Sequence, residues 1–501
     1  MKKVFHLYFF PCAFIGIALF LYTCLRAYHV AMTGDEGASF FDIKYMDIGY
    51  FFGSIANTHL LNTFLMKLNM FLWGDSELSL RSPNLIAHLF YLIFSYLIVQ
   101  RLKNSILITG AFIILNTNPF VLEFFALARG YGLSMALMLG SIYFQIKHIE
   151  SSHVKQNKKF LLLSFSLSMA AVLANYTMIN FYISLILVSL MYFWKNKEVS
   201  CLSLKISVQK NSFLIGINIL FVLLLLPILF RLKFSGMLFV GGTKNFYQDT
   251  VKSLVNASLY LEDYGRLDEL LPVLLSLFFI AAISVILLAV KLKKTPVYFA
   301  IPLYLLIISA ISTIAQFYLL KTPFLFQRTA VFLLPLFLLS VAFLFKSLLE
   351  ILPKFKIASL AFVSVIALIC IIHLLNTINI NHTYTYPSSA NVKDMLVSLD
   401  RVHDKKDSTK INIGASHSMV SPINYYRITR NLSYLNPVGY NMVFEKGYEQ
   451  FYFQRVETGN YDYLFFTEED KAKVVKKQEI ELINYYPLTK TYFTSIKTPN
   501  Y

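Results

Sequence analysis

The sequence predicts a polytopic α-helical membrane protein that ends in a small α/β domain. Three observations support this fold class. Of 501 residues, 56% are hydrophobic and only 15% are charged. Apolar runs long enough to cross a bilayer recur from the N-terminus to about residue 375, and the remaining residues have a mixed polar composition. This composition excludes a disordered chain and is too apolar for an ordinary soluble enzyme.

The apolar runs predict about eleven transmembrane helices of ~20 residues each. The first is too long for a cleaved secretion signal, and no small-x-small site precedes Gly34, so we expect it to be retained. The predicted spans are 6–31, 82–100, 105–121, 132–148, 160–176, 178–194, 212–231, 270–290, 297–319, 324–345 and 357–375.

Lysine and arginine residues concentrate in alternate loops, which predicts the orientation of the chain. If the spans alternate, the basic clusters share one side, which is then cytoplasmic, and the first loop, the 232–269 loop and the C-terminal region lie outside. The net charge of +17 follows from these loops and does not indicate nucleic-acid binding. The clusters include Lys2 and Lys3, Arg101 and Lys103, Lys158 and Lys159, Lys291 and Lys293, and Lys354 and Lys356.

Two adjacent acids, Asp35 and Glu36, directly follow the first span. Carboxylates beside hydrocarbon are costly and require water, a cation or a functional role. We interpret them as a reaction centre, and a divalent cation, if one binds, is predicted at Asp35 or Glu36. The alternative is a pair of solvated loop acids.

The first external loop, 32–81, is long for a connection between spans, and long ordered loops are often functional. Residues 57–73 have apolar side chains at helical spacing with a polar opposite face, which predicts a helix in the membrane interface. Residues 38–56 predict a second, weaker interfacial helix. The two helices would cover Asp35 and Glu36.

Several cations fall at the predicted outer ends of other spans. Arg129 lies beside Tyr131, Arg266 belongs to the 232–269 loop, and Lys321 and Arg328 flank the start of the tenth span. An arginine about one turn inside an apolar run is expected to face a cavity or an anionic partner. For Arg129 the alternative is a side chain that anchors the helix by reaching into the interface.

Residues 376–501 predict a small external α/β domain, with 1–375 forming the transmembrane domain. We expect acceptor contact or a lid here, and no chemistry. The predicted elements are a helix at 391–402, a strand at 410–414, a helix at 421–429, a strand at 461–467 and one or two strands at 480–496.

Three sequence segments resemble GT-C glycosyltransferases, in particular the branch with the protein O-mannosyltransferases and the aminoarabinose transferases of lipid A. They are Gly34-Asp35-Glu36 after the first span, Gly74-Asp75-Ser76-Glu77 leading through Arg81 to Pro83, and Ala128-Arg129-Gly130-Tyr131. The likeness is best over residues 1–195. His59 departs from the family's His-Pro-Pro pattern because Leu60 and Leu61 replace the prolines.

This resemblance implies an inverting transfer of sugar from a polyisoprenyl-phosphate carrier, with Asp35 near the acceptor. Such a reaction needs a carboxylate base, for which Asp35 is the choice and Glu36 the alternative. It also needs cations that hold the leaving phosphate. The predicted phosphate-binding residues are Arg129, Arg328, Lys321 and Arg266, and the predicted acceptor or positioning residues are His59, Tyr131 and Arg81.

The sugar is left open, and so is the acceptor, which is a lipid, a glycan or a protein. Two other functions remain as alternatives: a lipid-glycan transporter or flippase, and a glycan polymerase or ligase that works without the Asp-Glu base. The composition favours a bacterial inner membrane, with membrane lipids around the spans and both the active site and the C-terminal domain in the periplasm.

Overall fold

The computed structural model describes residues 2–45, 58–151, 154–195, 212–234, 241–262, 264–292, 297–402, 410–438, 461–475 and 479–496. The chain divides into two compact units. The first unit comprises Met1–Cys24, Phe51–Asn62 and Pro83–Ile378. The second unit comprises Leu25–Tyr50, Thr63–Ser82 and Asn379–Tyr501, so parts of the first loop group with the C-terminal region.

A helix lies at each of the eleven predicted spans. Within the described residues, eight helices are long and apolar enough to cross a bilayer, or nine if one bent pair is a single span, which makes the chain an integral membrane protein. The helices at these positions are α1 (Lys2–His29), α4 (Glu77–Val99), α5 (Ser105–Asn116) with α6 (Pro119–Phe125), α7 (Gly130–Glu150), α8 (Val154–Ala174), α9 (Ile179–Lys195), α10 (Ser212–Phe234), α12 (Leu267–Lys291), α13 (Val297–Leu320), α14 (Leu333–Ile351) and α15 (Lys356–Thr377).

The predicted number of spans therefore exceeds the number that meet this criterion. The prediction at 132–148 falls on α7, which carries Gln145, Lys147, His148 and Glu150 in its last two turns and is mostly buried within the first unit. The prediction at 178–194 falls on α9 and the 3-10 turn before it, whose apolar part, Tyr176–Tyr192, is shorter than the other candidate spans.

The predicted span at 105–121 is broken into α5 and α6, which are bent by 66°. Pro119 stands at the start of α6, and the Asn118 side chain caps it by accepting from the Val121 amide at 3.1 Å. Proline lacks an amide hydrogen and disfavours helix in the residue before it, so the chain stops one helix and starts another here.

Gly130 allows a close approach between α7 and the end of α8. A Cβ atom at this position would lie 1.8 Å from the carbonyl oxygen of Ala174. Only glycine therefore fits at the start of α7, directly after Arg129.

The first loop forms α2 (Gly34–Tyr45), which lies in the second unit, and α3 (Leu60–Trp73), which belongs to that unit from Thr63 onward. The helix predicted at 57–73 is present as α3, although Asn57 lies outside the described residues. The helix predicted at 38–56 begins earlier, at Gly34, and residues 46–57 lie outside the described part. Asp35 and Glu36 are consequently in the first turn of this helix, and not before its start.

The C-terminal part of the second unit contains a four-stranded sheet of order β1-β2-β4-β3. The first pair is parallel and the others are antiparallel. Leu464 and Phe466 of β2 are fully buried and pack with Val474. The elements are α16 (Val392–Val402), β1 (Ile413–Ala415), α17 (His417–Thr429), β2 (Tyr463–Thr467), α18 (Glu468–Val475), β3 (Ile480–Tyr486) and β4 (Thr491–Ile496).

These elements confirm the predicted small α/β fold. The 480–496 segment forms two strands, and α18 was not predicted. Its first turn is acidic, with Glu468, Glu469 and Asp470. Acids in this position interact favourably with the positive end of the helix dipole.

Candidate active site

The Asp-Glu pair begins α2 through a capping box formed by Thr33 and Glu36. The Thr33 hydroxyl accepts from the Glu36 amide at 3.3 Å, and the Glu36 carboxylate accepts from the Thr33 amide at 3.0 Å. The Gly37 amide donates to the Thr33 carbonyl at 2.9 Å, which closes the first turn. Such a box satisfies two amides that a helix end would otherwise leave without partners.

Glu36 is fully buried and forms a two-pronged ion pair with Arg81. The Arg81 Nε and Nη2 atoms each donate to a carboxylate oxygen of Glu36 at 2.8 Å. Arg81 also donates to the carbonyl oxygens of Ala27, Val30 and Ala31, at 2.9, 2.7 and 3.1 Å. These five bonds match the five donors of a guanidinium group. Arg81 thus joins α2 to the C-terminal end of α1.

Lys393 reinforces the same end of α1. Its Nζ atom donates to the carbonyl oxygens of Tyr28 at 3.4 Å and His29 at 3.1 Å, and lies 2.9 Å from the Glu77 carboxylate. Burial lowers the pKa of Lys393, while Glu77 acts in the opposite direction. Two cations therefore bind the carbonyl groups that a helix C-terminus leaves without intrahelical partners.

Asp35 has surroundings different from those of its neighbour. Asp35 is partly exposed, and its Oδ2 atom accepts a hydrogen bond from the Tyr386 hydroxyl at 2.6 Å. Successive residues of a helix point about 100° apart. The turn that buries Glu36 against Arg81 therefore directs Asp35 elsewhere.

Helix α17 packs against the start of α2 through two glycines. A Cβ atom on Gly34 would lie 2.9 Å from the Ser418 carbonyl oxygen, and one on Gly37 would lie 2.9 Å from the Ser421 carbonyl carbon. The rings of Phe40 and Tyr425 meet edge to face 4.9 Å apart on the next turn. The C-terminal region therefore forms part of the immediate support for Asp35.

Tyr426 of α17 links the same elements. Its hydroxyl accepts from the Met32 amide at 2.8 Å and donates to the Glu77 carboxylate. Burial raises the pKa of Tyr426 well above its usual value, and the charge of Glu77 adds to that effect. Tyr426 therefore remains a hydrogen-bond donor at physiological pH.

In the first unit, His59, Arg129 and Tyr131 lie in one buried region. Arg129, only 2% exposed, occupies the N-cap position of α7 in an extended conformation. The His59 and Tyr131 rings meet edge to face 5.0 Å apart, and the His59 Nδ1 atom is 3.0 Å from the Ala174 carbonyl oxygen. The structure thus brings together three residues that the sequence separates by up to 72 positions.

The first unit also contains a buried carboxylate that sequence reasoning did not single out. Glu123 of α6 is fully buried and accepts from the Tyr260 hydroxyl at 2.6 Å. Tyr260 has a left-handed backbone, with φ 54°, where helix α11 (Ser253–Leu259) ends. Strained backbone of this kind persists where surrounding contacts hold it in place.

The remaining predicted cations lie on separate segments of the first unit. Arg266 is exposed directly before α12, and Lys321 is exposed at the end of α13 with φ 53°. Arg328 lies in the short 3-10 helix Gln327–Ala330 that precedes α14. The helix of the predicted span 324–345 therefore begins later than predicted, at Leu333. The Thr329 hydroxyl accepts from the Phe326 amide at 2.7 Å and donates to the Phe326 carbonyl at 3.0 Å. Such local side-chain hydrogen bonds compete with helix formation.

Comparison with known structures identifies the fold. ArnT from Cupriavidus metallidurans in the apo state matches with a TM-score of 0.51 and 10% identity, over 96% of this chain and 97% of that one. ArnT from the same organism bound to undecaprenyl phosphate matches with a TM-score of 0.51 and 9% identity, over 97% of each chain. The chain has the fold of ArnT.

ArnT is a lipid A aminoarabinose transferase of the GT-C superfamily, so the resemblance drawn from the three sequence segments is confirmed at the level of fold. The likeness extends over almost the whole chain, including the part beyond residue 195 where the sequence resemblance was weak. No protein-family model and no curated protein matches the sequence.

No group of three His, Cys, Asp or Glu side chains among the described residues is arranged to hold a metal ion. Both carboxylate oxygens of Glu36 accept from Arg81. Asp35 is consequently the better candidate of the two if a divalent cation binds.

Proposed function

We propose that this chain is a membrane glycosyltransferase that moves a sugar from a polyisoprenyl-phosphate carrier to an acceptor hydroxyl on the external face of the membrane, with inversion. The observation that carries the proposal is the difference between the two acids: Glu36 is ion-paired with Arg81, whereas Asp35 is partly exposed. The chain shares its fold with a protein that binds undecaprenyl phosphate.

In the proposed reaction, Asp35 accepts the proton of the acceptor hydroxyl as the hydroxyl oxygen attacks the anomeric carbon. The bond between that carbon and the phosphate oxygen breaks, and the polyisoprenyl phosphate leaves with the electron pair. The leaving group is a stable anion, so it requires cations and no acid. Arg129, Arg328, Lys321 and Arg266 are the candidates, and arginine is favoured because its donors form a fork that fits phosphate.

The structural role we assign to Glu36 removes it from the reaction. A carboxylate whose two oxygens are bound by a buried guanidinium group is a weak proton acceptor, because protonation would break the ion pair. Arg81 accordingly acts as a positioning residue. His59 and Tyr131 would shape the region around Arg129.

The test is transfer of labelled sugar from a panel of synthetic polyisoprenyl-phosphate sugars by purified protein in lipid. A positioned general base contributes about 10²–10⁴-fold, so Asp35→Asn is expected to lower transfer by that factor. Asp42→Asn is the matched control, because it makes the same change on the same helix and is expected to keep its activity.

Unchanged thermal unfolding would show that Asp35→Asn remains folded. Turnover at the wild-type rate in that variant would remove Asp35 from the role of base. Failure of every donor with wild-type protein would contradict the transferase proposal and favour the transporter alternative.

A further inference from the structure

The Tyr386 side chain, in the segment after the last span, contacts Asp35. Tyr386 donates its hydroxyl hydrogen to the Asp35 Oδ2 atom at 2.6 Å, across 351 positions of sequence. Both residues belong to the second unit. A hydrogen bond from a tyrosine hydroxyl to a charged carboxylate is stronger than one between two neutral groups.

The backbone around Tyr386 is fixed at both ends. On one side, Arg26 donates to the carbonyl oxygens of Asn379 at 3.1 Å and His382 at 2.9 Å. The Tyr386 amide itself donates to the Thr383 hydroxyl at 3.0 Å. Arg26 is 1% exposed and lies in the last turns of α1, so the segment is held to the helix that leads into Asp35.

On the other side, the segment is joined to α17. The hydroxyls of Ser388 and Ser418 are 2.7 Å apart, and the Ser389 hydroxyl donates to the Ser418 carbonyl at 3.2 Å. That carbonyl is the same atom that Gly34 approaches. Tyr386 and Asp35 are therefore held against a common support, and their separation is set by the packing of α2 on α17.

A base must keep a fixed orientation to act in a transition state, because small displacements are costly to catalysis. A carboxylate has about four lone-pair sites, so the bond to Tyr386 is compatible with a second bond to an acceptor hydroxyl. The Tyr386 bond restricts rotation of the Asp35 carboxylate about its side-chain axis.

We propose that Tyr386 is a positioning residue for the Asp35 carboxylate, so that the polypeptide after the last span completes the acceptor side of the active site. This inference rests on the proposed function. It goes beyond the role of acceptor contact or lid that the sequence predicts for the C-terminal region.

The test is Tyr386→Phe, which removes the hydroxyl and keeps the ring. The loss of a hydrogen bond to a charged group predicts a fall in kcat of about 10- to 100-fold. The KM for the polyisoprenyl-phosphate sugar is expected to remain within about twofold, because the base contributes to the transition state and not to donor binding. A purely structural role would not separate kcat from KM in this way.

Tyr434→Phe provides the matched control. Tyr434 donates to Asp400 at the same 2.6 Å distance, in an exposed pair of the second unit. Loss of this hydroxyl is expected to leave kcat unchanged. An equal fall in both variants would overturn the inference.

A second measurement does not depend on activity. Thermal unfolding of Tyr386→Phe, Asp35→Ala and the double variant forms a double-mutant cycle, and coupling between the two changes is expected because alanine removes the acceptor of the bond. Additive shifts would overturn the contact between Tyr386 and Asp35.

The two proposals fail in different ways. If wild-type protein transfers sugar and Tyr386→Phe keeps its kcat, the positioning role is wrong and the proposed function stands. If wild-type protein transfers no sugar from any donor, the proposed function is wrong, and so is the positioning role of Tyr386 in that reaction.

Discussion

Asp35 and Glu36 are chemically similar neighbours with different surroundings. The capping box and the Arg81 ion pair bury Glu36, whereas Asp35 is partly exposed and accepts from Tyr386. At the residue scale, the difference arises because one helical turn directs the two carboxylates to different sides. A buried charge is stable only while its partner is present.

Removal of the Arg81 charge should therefore destabilise the protein strongly. Arg81→Gln leaves the Glu36 carboxylate buried without a compensating charge, and the expected cost is about 3–5 kcal/mol. Thermal unfolding in detergent measures the loss. Lys44→Gln, which breaks the exposed Lys44–Asp75 pair, should cost no more than about 1 kcal/mol. Equal shifts in the two variants would contradict a structural role for the Glu36–Arg81 pair.

At the scale of elements, the site depends on how closely α2 approaches α17. The glycines at positions 34 and 37 lie one turn apart on the same face of α2, and both meet the backbone of α17. Backbone contacts cannot be relieved by the movement of a flexible side chain. Helix packing, and not the sequence of the first loop alone, sets the position of Asp35.

Alanine at either glycine should push α2 and α17 apart. Gly34→Ala and Gly37→Ala are each expected to lower the thermal midpoint and to reduce transfer, because a new methyl group would lie 2.9 Å from backbone atoms. Gly216→Ala makes the same change in α10, where no atom lies within 4 Å of the new Cβ. That control should be neutral or stabilising, because alanine is favoured over glycine in helices. This account would be refuted if Gly216→Ala lowered the thermal midpoint and Gly34→Ala and Gly37→Ala did not.

The segment held by Arg26 should also make stability depend on pH. Burial and the nearby Arg26 charge lower the pKa of His382. An unfolded histidine, with a pKa of about 6.5, binds a proton at mildly acidic pH while the folded form does not. The stability associated with neutral His382 is therefore present above pH 6.5 and is lost as pH falls below it.

His382→Asn should flatten this dependence. The thermal midpoint of wild-type protein is expected to fall more steeply between pH 7.5 and 5.5 than that of the variant. His417→Asn changes an exposed histidine of the same unit and should keep the wild-type slope. Identical slopes in all three proteins would exclude His382 as the source.

At the scale of the whole molecule, the basic loops predict which side of the membrane each segment occupies. The chain has the fold of ArnT over nearly its full length, but its orientation in the membrane is a prediction from the sequence. Lys103 and Asn381 are both exposed and are expected on opposite sides.

Single-cysteine variants test this orientation. With the four native cysteines replaced by serine, a membrane-impermeant maleimide should label Asn381→Cys in intact cells and should not label Lys103→Cys. Permeabilised cells should label both. Labelling of Lys103→Cys and not of Asn381→Cys in intact cells would reverse the predicted topology.

The sequence by itself determined the membrane class, the approximate positions of the apolar helices, the C-terminal strands and the Asp-Glu pair. Each of these follows from local patterns, namely apolar runs and the alternation of apolar and polar residues. The prediction of a helix at 38–56 did not use the Thr-x-x-Glu pattern at residues 33–36, a capping-box signal for a helix that starts at Gly34. Only the tertiary structure decided which acid is buried, and that Tyr386 bonds Asp35. These outcomes depend on contacts between residues up to 351 positions apart, and no local pattern encodes the partner of a side chain at that distance.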